Sequence, residues 1–441
     1  MIEPILAQRR AAGFWLAVLL TGTGTGLAAA ALTGLLELVQ HLMWGGDGLD
    51  LLQAASGAGP WRHIAALLGA GLLTGAGQLL LTRLSSGNGI DITAAIWFHA
   101  GRLPALRTLG SAILSIVIVG MGTALGREGA PKQAGAVIAN AMSDRVRLSA
   151  DERRLLVACG AGAGMAAAYG VPLGGALFAL EVLRGALALR FVLPAVVTTL
   201  VATEVSWAFL PDVPLYVIPA YHGSLSSIAW ALLAGPIAGL VSVLYVRSVA
   251  WADRHKPTGW RRVWAPVVAL GVLGAVSIPL PQLLGNGRDM AELAFTGGIG
   301  PLLLLALVLL RPAATILCLG SGAPGGLFTP SLAVGAALGG VLGLPWSWLW
   351  PGVPPGLFAL LGAAGMLAAT TQGPISTVVL MMEMTGYARA AIVPMLLAVA
   401  TATLVARTIE PRSIYDARLS DEQVRERARA RDHAPEELPP A

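Results

Sequence analysis

From Pro312 to Met382 the chain runs 71 residues without an Asp, Glu, Lys, Arg or His. At about 20 residues per bilayer crossing, such a run is long enough for three passes. No soluble fold requires it. Residues 11–36, 224–246 and 263–287 are further uncharged runs. Across all 441 residues only 12% are charged, against about 25% in a typical soluble domain, and mean hydropathy is +0.72. The sequence reads as an all-α polytopic membrane protein.

Arg9 and Arg10 before residue 11 imitate the start of a secretory signal, but the apolar run continues to Leu36 without a convincing cleavage site, so it reads as a retained first span. Arg9 and Arg10 precede the first span, and a charged tail follows Arg407. The positive-inside rule therefore places both termini in the cytoplasm, with an even number of crossings of the cell's inner membrane. The tail stretch 424–431, Val-Arg-Glu-Arg-Ala-Arg-Ala-Arg, lacks aromatics and has Asp421, Glu422 and Glu426 beside it. It reads as a solvated helix and not as a nucleic-acid surface. Cys159 and Cys318 are the two cysteines, each in an apolar Gly/Ala-rich run; two thiols cannot build a structural zinc site. The histidines show no metal-ligand spacing, and no cofactor or metal is expected.

The chain repeats its landmarks at an interval of about 200 residues. Gly87-Asn88-Gly89 returns as Gly285-Asn286-Gly287, and Pro131 as Pro330. Ala163-Gly164-Met165 leads to Pro172 and Glu181, as Ala364-Gly365-Met366 leads to Pro374 and Glu383. Ordered Gly/Pro breaks at matching places point to a transporter of two inverted repeats, residues 11–205 and 224–407, with the tail at 408–441. Its substrate site then lies at the repeat interface.

Such breaks select the substrate. A helix that begins inside the membrane leaves its first N–H groups unpaired, and those donors favour an anion. The candidate starts are residues 87–90, 126–131 and 320–330. The Gly-rich stretch 320–326 is not a nucleotide loop, because no P-loop Lys follows it. Glu128 sits in Gly-Arg-Glu-Gly-Ala-Pro after an uncharged stretch from Thr108 to Gly126. A carboxylate at mid-membrane costs roughly 2.5–3.5 kcal/mol on the insertion scale, which marks it as a site on an ion or proton path. The plainer alternative is a helix end solvated at the interface. An intramembrane enzyme would need a nucleophile with its base, or a metal cluster, and the sequence has neither at depth.

These segments resemble the CLC family of anion channels and proton-coupled anion antiporters. Residues 126–129 are similar to the family's gate segment Gly-Arg/Lys-Glu-Gly-Pro, residues 320–330 to its Gly-x-Phe-x-Pro segment, and Gly386-Tyr387 to the place of its central tyrosine. The resemblance runs from about Ala11 to Arg407. It implies an inverted-repeat homodimer with about eighteen helices of uneven length and a pathway in each subunit. It implies Glu128 as the gate that competes with the anion and carries the proton. The anion would be held by Gly87, Asn88, Gly89, Ile90, Gly129, Phe328, Thr329 and Tyr387. The nucleotide-binding regulatory domains that many relatives carry at the C-terminus are not expected.

Three departures bear on the substrate. Most relatives have Gly-Ser-Gly-Ile-Pro where this chain has Gly87-Asn88-Gly89-Ile90-Asp91; Ala130 replaces the Pro after the gate; and Val182 stands where chloride antiporters carry a relay glutamate. This combination resembles the fluoride-exporting branch, proton-coupled and one-for-one, with a chloride/proton antiporter or chloride channel as the alternative. An amide offers two N–H donors where a hydroxyl offers one, which suits a small, strongly hydrated anion. Asn88 also reads as a turn residue, like Asn286. Glu181 and Glu383 read as structural acceptors for loop backbone. Lys132, four residues after Glu128, is spaced either to pair with it or to concentrate anions at a vestibule. Tyr387 is also placed as an interfacial anchor.

Overall fold

The computed structural model describes residues 2–46, 50–84, 91–386, 391–419 and 421–432. The helices of the first half are α1 Ile2–Trp44, α2 Leu51–Ser56, α3 Pro60–Leu84, α4 Ile92–Phe98, α5 Ala105–Gly120, α6 Gly129–Val146, α7 Ala150–Tyr169, α8 Pro172–Phe178 and α9 Leu189–Trp207. Those of the second are α10 Leu225–Arg254, α11 Arg261–Ser277, α12 Arg288–Phe295, α13 Pro301–Gly320, α14 Phe328–Leu349, α15 Pro355–Thr371, α16 Pro374–Met384 and α17 Ile392–Ile409, followed by the tail helix α18 Asp421–Asp432. The architecture is all-helical, and seven of these helices are long and apolar enough to cross a membrane. Their outward surfaces carry exposed leucines such as Leu20, Leu72, Leu244 and Leu309, as lipid contact requires.

The alternation of long and short helices repeats from α3–α9 to α11–α17, and the caps repeat with it. Helix α7 ends at Gly170, in the left-handed conformation with φ +66°, before Pro172 opens α8. Helix α15 ends at Gln372, also left-handed with φ +58°, before Pro374 opens α16. A proline at the first helical position loses no intrahelical bond, so each pair restarts sharply inside the protein. Glutamine is strained there, and Arg407 holds it by donating to the Gln372 side-chain and backbone oxygens.

The two halves brace each other reciprocally. Glu181 accepts from the N–H groups of Ile375 and Ser376 at the start of α16. Glu383 accepts from those of Leu173 and Gly174 at the start of α8. Each glutamate thus satisfies orphan donors of the other half's broken helix. Glycines allow close packing within each half: a Cβ on Gly135 would strike the backbone at Gly160, and one on Gly339 the backbone at Phe358 and Gly362.

Two buried arginines fix neighbouring segments of the chain. Arg311 on α13 is fully buried and donates to the carbonyls of Leu283 and Gly285, each at 2.8 Å, fixing the loop that contains Asn286. The tail departs from the expectation of a wholly solvated helix. Arg427 of α18 is 4% exposed: it pairs with Asp416, donates to the Val182 carbonyl and lies over the Trp97 ring. The alternating charges hid this anchor, since burial of one arginine leaves no trace in the local pattern.

Candidate functional site

Helix α5 ends at Gly120, and the chain reaches the start of α6 through a series of turns. There Gly126 and Gly326 form an isolated antiparallel bridge, each N–H donating to the other's carbonyl at 2.8 Å. The bridge joins the gate segment of one half to the matching loop of the other. Both glycines leave room for the Glu128 carboxyl, which a Cβ on either would displace.

Glu128 is 0% exposed. Its Oε1 accepts from the backbone N–H of Phe328, the first residue of α14, at 2.7 Å. Its Oε2 lies 3.2 Å from the Tyr169 hydroxyl and 3.3 Å from the Thr329 hydroxyl. The open end of α14 is therefore occupied by a carboxyl group of the protein itself. This geometry removes the solvated-helix-end reading of Glu128.

Cavities approach this carboxyl from two sides. One, of about 490 Å³, is lined by Glu37, His41, Trp44, Val119, Arg127 and Arg288 among others. The second, of about 480 Å³, is lined by Asp91, His99, Arg107, Thr108, Lys256 and Gly325 among others. Arg107 and Val119 stand near opposite ends of α5, and at about 1.5 Å per residue the two cavities open at opposite ends of one helix. Between the second cavity and Glu128 lies a pocket of about 60 Å³, lined by Thr93, Gly129, Lys132, Gly326, Leu327 and Tyr415. It shares Asp91, Gln133 and Gly325 with the larger cavity.

The small pocket brings helix starts and a cation together. Helix α4 begins beside it with Asp91 as its cap, and α6 begins beside it at Gly129. Lys132 is 5% exposed, with its ammonium 3.4 Å from the Tyr415 hydroxyl and over the rings of Phe178 and Tyr415. The ammonium thus faces the small pocket, on the Tyr415 side, where the four-residue spacing had also allowed a pair with Glu128. Aromatic rings connect pocket and carboxyl: Tyr415 meets Phe178 edge-on, Phe178 meets Phe328 edge-on, and Phe328 stacks on Tyr169.

Of the residues expected from sequence, Glu128, Gly129, Phe328 and Thr329 meet here. Gly87, Asn88, Gly89, Ile90 and Tyr387 lie outside the described residues. Tyr169 and Tyr415 were missed. Tyr415 stands in Ser-Ile-Tyr-Asp after the last span, where the charged tail dominated the reading, and a tyrosine hydroxyl so placed was the available signal. Among the described residues no cluster of three His, Cys, Asp or Glu side chains is arranged to hold a metal.

The family model described as voltage gated chloride channel matches residues 66–407. The voltage-gated ClC-type chloride channel ClcB of Citrobacter koseri is 31% identical over 410 residues, covering 88% of this chain and 95% of the relative. ClcB of Escherichia coli K12 is 32% identical over 412 residues, with the same coverage of each chain. Among solved structures, a slow cyanobacterial Cl⁻/H⁺ antiporter aligns with a TM-score of 0.80 at 22% identity, covering 94% of this chain and 99% of that one. A CLC-type fluoride/proton antiporter aligns with a TM-score of 0.76 at 21% identity, covering 92% and 98%.

Proposed function

The chain belongs to the CLC family of voltage gated chloride channels, membrane-spanning anion channels and antiporters and not enzymes, and on that premise we propose that it exchanges a halide for protons with Glu128 as gate. The observation that carries the proposal is the buried Glu128 carboxylate on the Phe328 N–H, between two cavities at opposite ends of α5. An incoming anion competes for that donor. Protonation removes the charge that holds the carboxyl there, so release of the plug and uptake of a proton become one event. Lys132 and the start of α6 supply the inner anion position, where a fixed cation and backbone donors replace lost water. The functional unit is a homodimer in the cell's inner membrane with a pathway in each subunit and both termini cytoplasmic.

The residue pattern supports fluoride as the exported ion, through Asn88 and the absence of a glutamate at position 182. A specific observation favours chloride: the curated relatives at 31–32% identity are named chloride channels. Efflux from liposomes loaded with fluoride or with chloride separates the two. Fluoride export predicts faster fluoride release, and Asn88→Ser lowering the fluoride-to-chloride ratio by roughly tenfold, the scale of one hydrogen-bond difference. Chloride release as fast as fluoride, with a ratio unmoved by Asn88→Ser, assigns the chain to chloride and leaves Asn88 as a turn residue.

A further inference from the structure

Tyr169, the last residue of α7, is 5% exposed. Its hydroxyl is 3.2 Å from Glu128 Oε2 and 2.8 Å from Thr329 Oγ1. An ionised carboxylate only accepts hydrogen bonds, so the tyrosine must be the donor to it, and the threonine hydroxyl is left to donate to the tyrosine oxygen or to Oε2. The ring has little freedom to move away. It stacks on Phe328 with centroids 6.4 Å apart, and the Arg127 guanidinium lies 5.1 Å from its centre on the gate segment. The left-handed Gly170 immediately after it ends the helix, which fixes where the ring stands.

We propose that Tyr169 is a positioning residue that latches the gate: its hydroxyl, shared with Thr329, holds Glu128 in the plugging position and sets how strongly the plug competes with an anion for the start of α14. The latch rests on the reading of Glu128 as plug. Removing the Phe328 N–H bond alone cannot be done by side-chain substitution, whereas the Tyr169 hydroxyl can be deleted with its ring retained. The latch also gives a reason for a tyrosine in this apolar stretch of Ala and Gly, where a phenylalanine would fill the same space. A weaker latch lets anions reach the start of α14 more readily, and a stronger one slows the exchange.

The test is chloride binding, measured by titration calorimetry on the full chain purified in detergent, in four proteins: wild type, Tyr169→Phe, Glu128→Ala and the double variant. Chloride serves as the probe whichever halide is physiological. The latch predicts that Tyr169→Phe tightens chloride binding by about three- to tenfold, the range of one hydrogen bond, and that the same substitution changes nothing in the Glu128→Ala background, where no plug remains to be held. A purely structural role would move both backgrounds alike. Thr329→Val, which removes the second hydroxyl, carries the test if Tyr169→Phe does not fold; because Thr329 also borders the anion, the latch is read from the difference between its effect with Glu128 present and its effect in the Glu128→Ala background. Unchanged affinity in the Glu128-containing variants overturns the latch. Weaker chloride binding in the Glu128→Ala background also overturns it, since the hydroxyl would then be a ligand of the anion. If Glu128→Ala alone leaves chloride affinity at the wild-type value, the plug itself is refuted, a result distinct from failure of the latch.

Discussion

A carboxyl group with no exposure must take its hydrogen bonds from the protein, and Glu128 takes them from a helix start and two hydroxyls. Glu128 was legible as a carboxylate following an uncharged stretch, and Phe328 and Thr329 through the resemblance of residues 320–330 to a family segment. Tyr169 and Tyr415 were not legible, because their roles depend on partners 41 and 283 residues away in the chain. Of the two expectations for Lys132, a pair with Glu128 or an anion-concentrating charge, the structure shows no pair, because the Glu128 side chain turns toward α14. The prediction for Lys132 follows from its place among helix starts: Lys132→Met should weaken halide binding about tenfold, or 1.4 kcal/mol, as read by calorimetry, because the charge faces the ion in the small pocket. Unchanged affinity would reduce Lys132 to a packing residue between Phe178 and Tyr415.

At the level of elements, broken helices are stable here because each half closes the other's open ends. Losing the charge of Glu383 weakens two bonds to backbone N–H groups at the start of α8. Glu383→Gln should therefore cost about 1–3 kcal/mol, seen as a lower midpoint in thermal unfolding of the detergent-solubilised protein. Glu181→Gln should lose a similar amount through α16 while still exchanging protons for halide at the wild-type ratio, measured by parallel proton and halide fluxes. A Glu181→Gln protein that folds and moves halide without protons would make Glu181 a relay. The matched Pro-to-Glu spacing made these caps readable from sequence as structural acceptors. Their reciprocity was not readable, since periodicity within one half carries no record of which half supplies the donor. The anchoring of α18 through Arg427 escaped for the same reason: its partners Asp416, Val182 and Trp97 come from three separate segments.

Over the whole molecule, two cavities open near opposite ends of α5, with Arg127 of the gate segment lining one and Gly325, beside the glycine bridge, lining the other. An uncharged run of 71 residues and landmarks repeated in order were enough to expect this all-helical architecture. The position of the cavities was not, because a cavity is defined by what several distant helices leave unfilled. The central claim is that the protonation of Glu128 and the passage of a halide are one event. The direct measurement reconstitutes wild type and Glu128→Gln in liposomes, clamps the voltage, and imposes a halide gradient with halide fluxes and proton fluxes followed together. Wild type is predicted to use the halide gradient to drive protons uphill against their own gradient, and Glu128→Gln to pass halide with no coupled protons. Uphill proton movement surviving in Glu128→Gln, or absent from wild type that moves halide, would contradict the account.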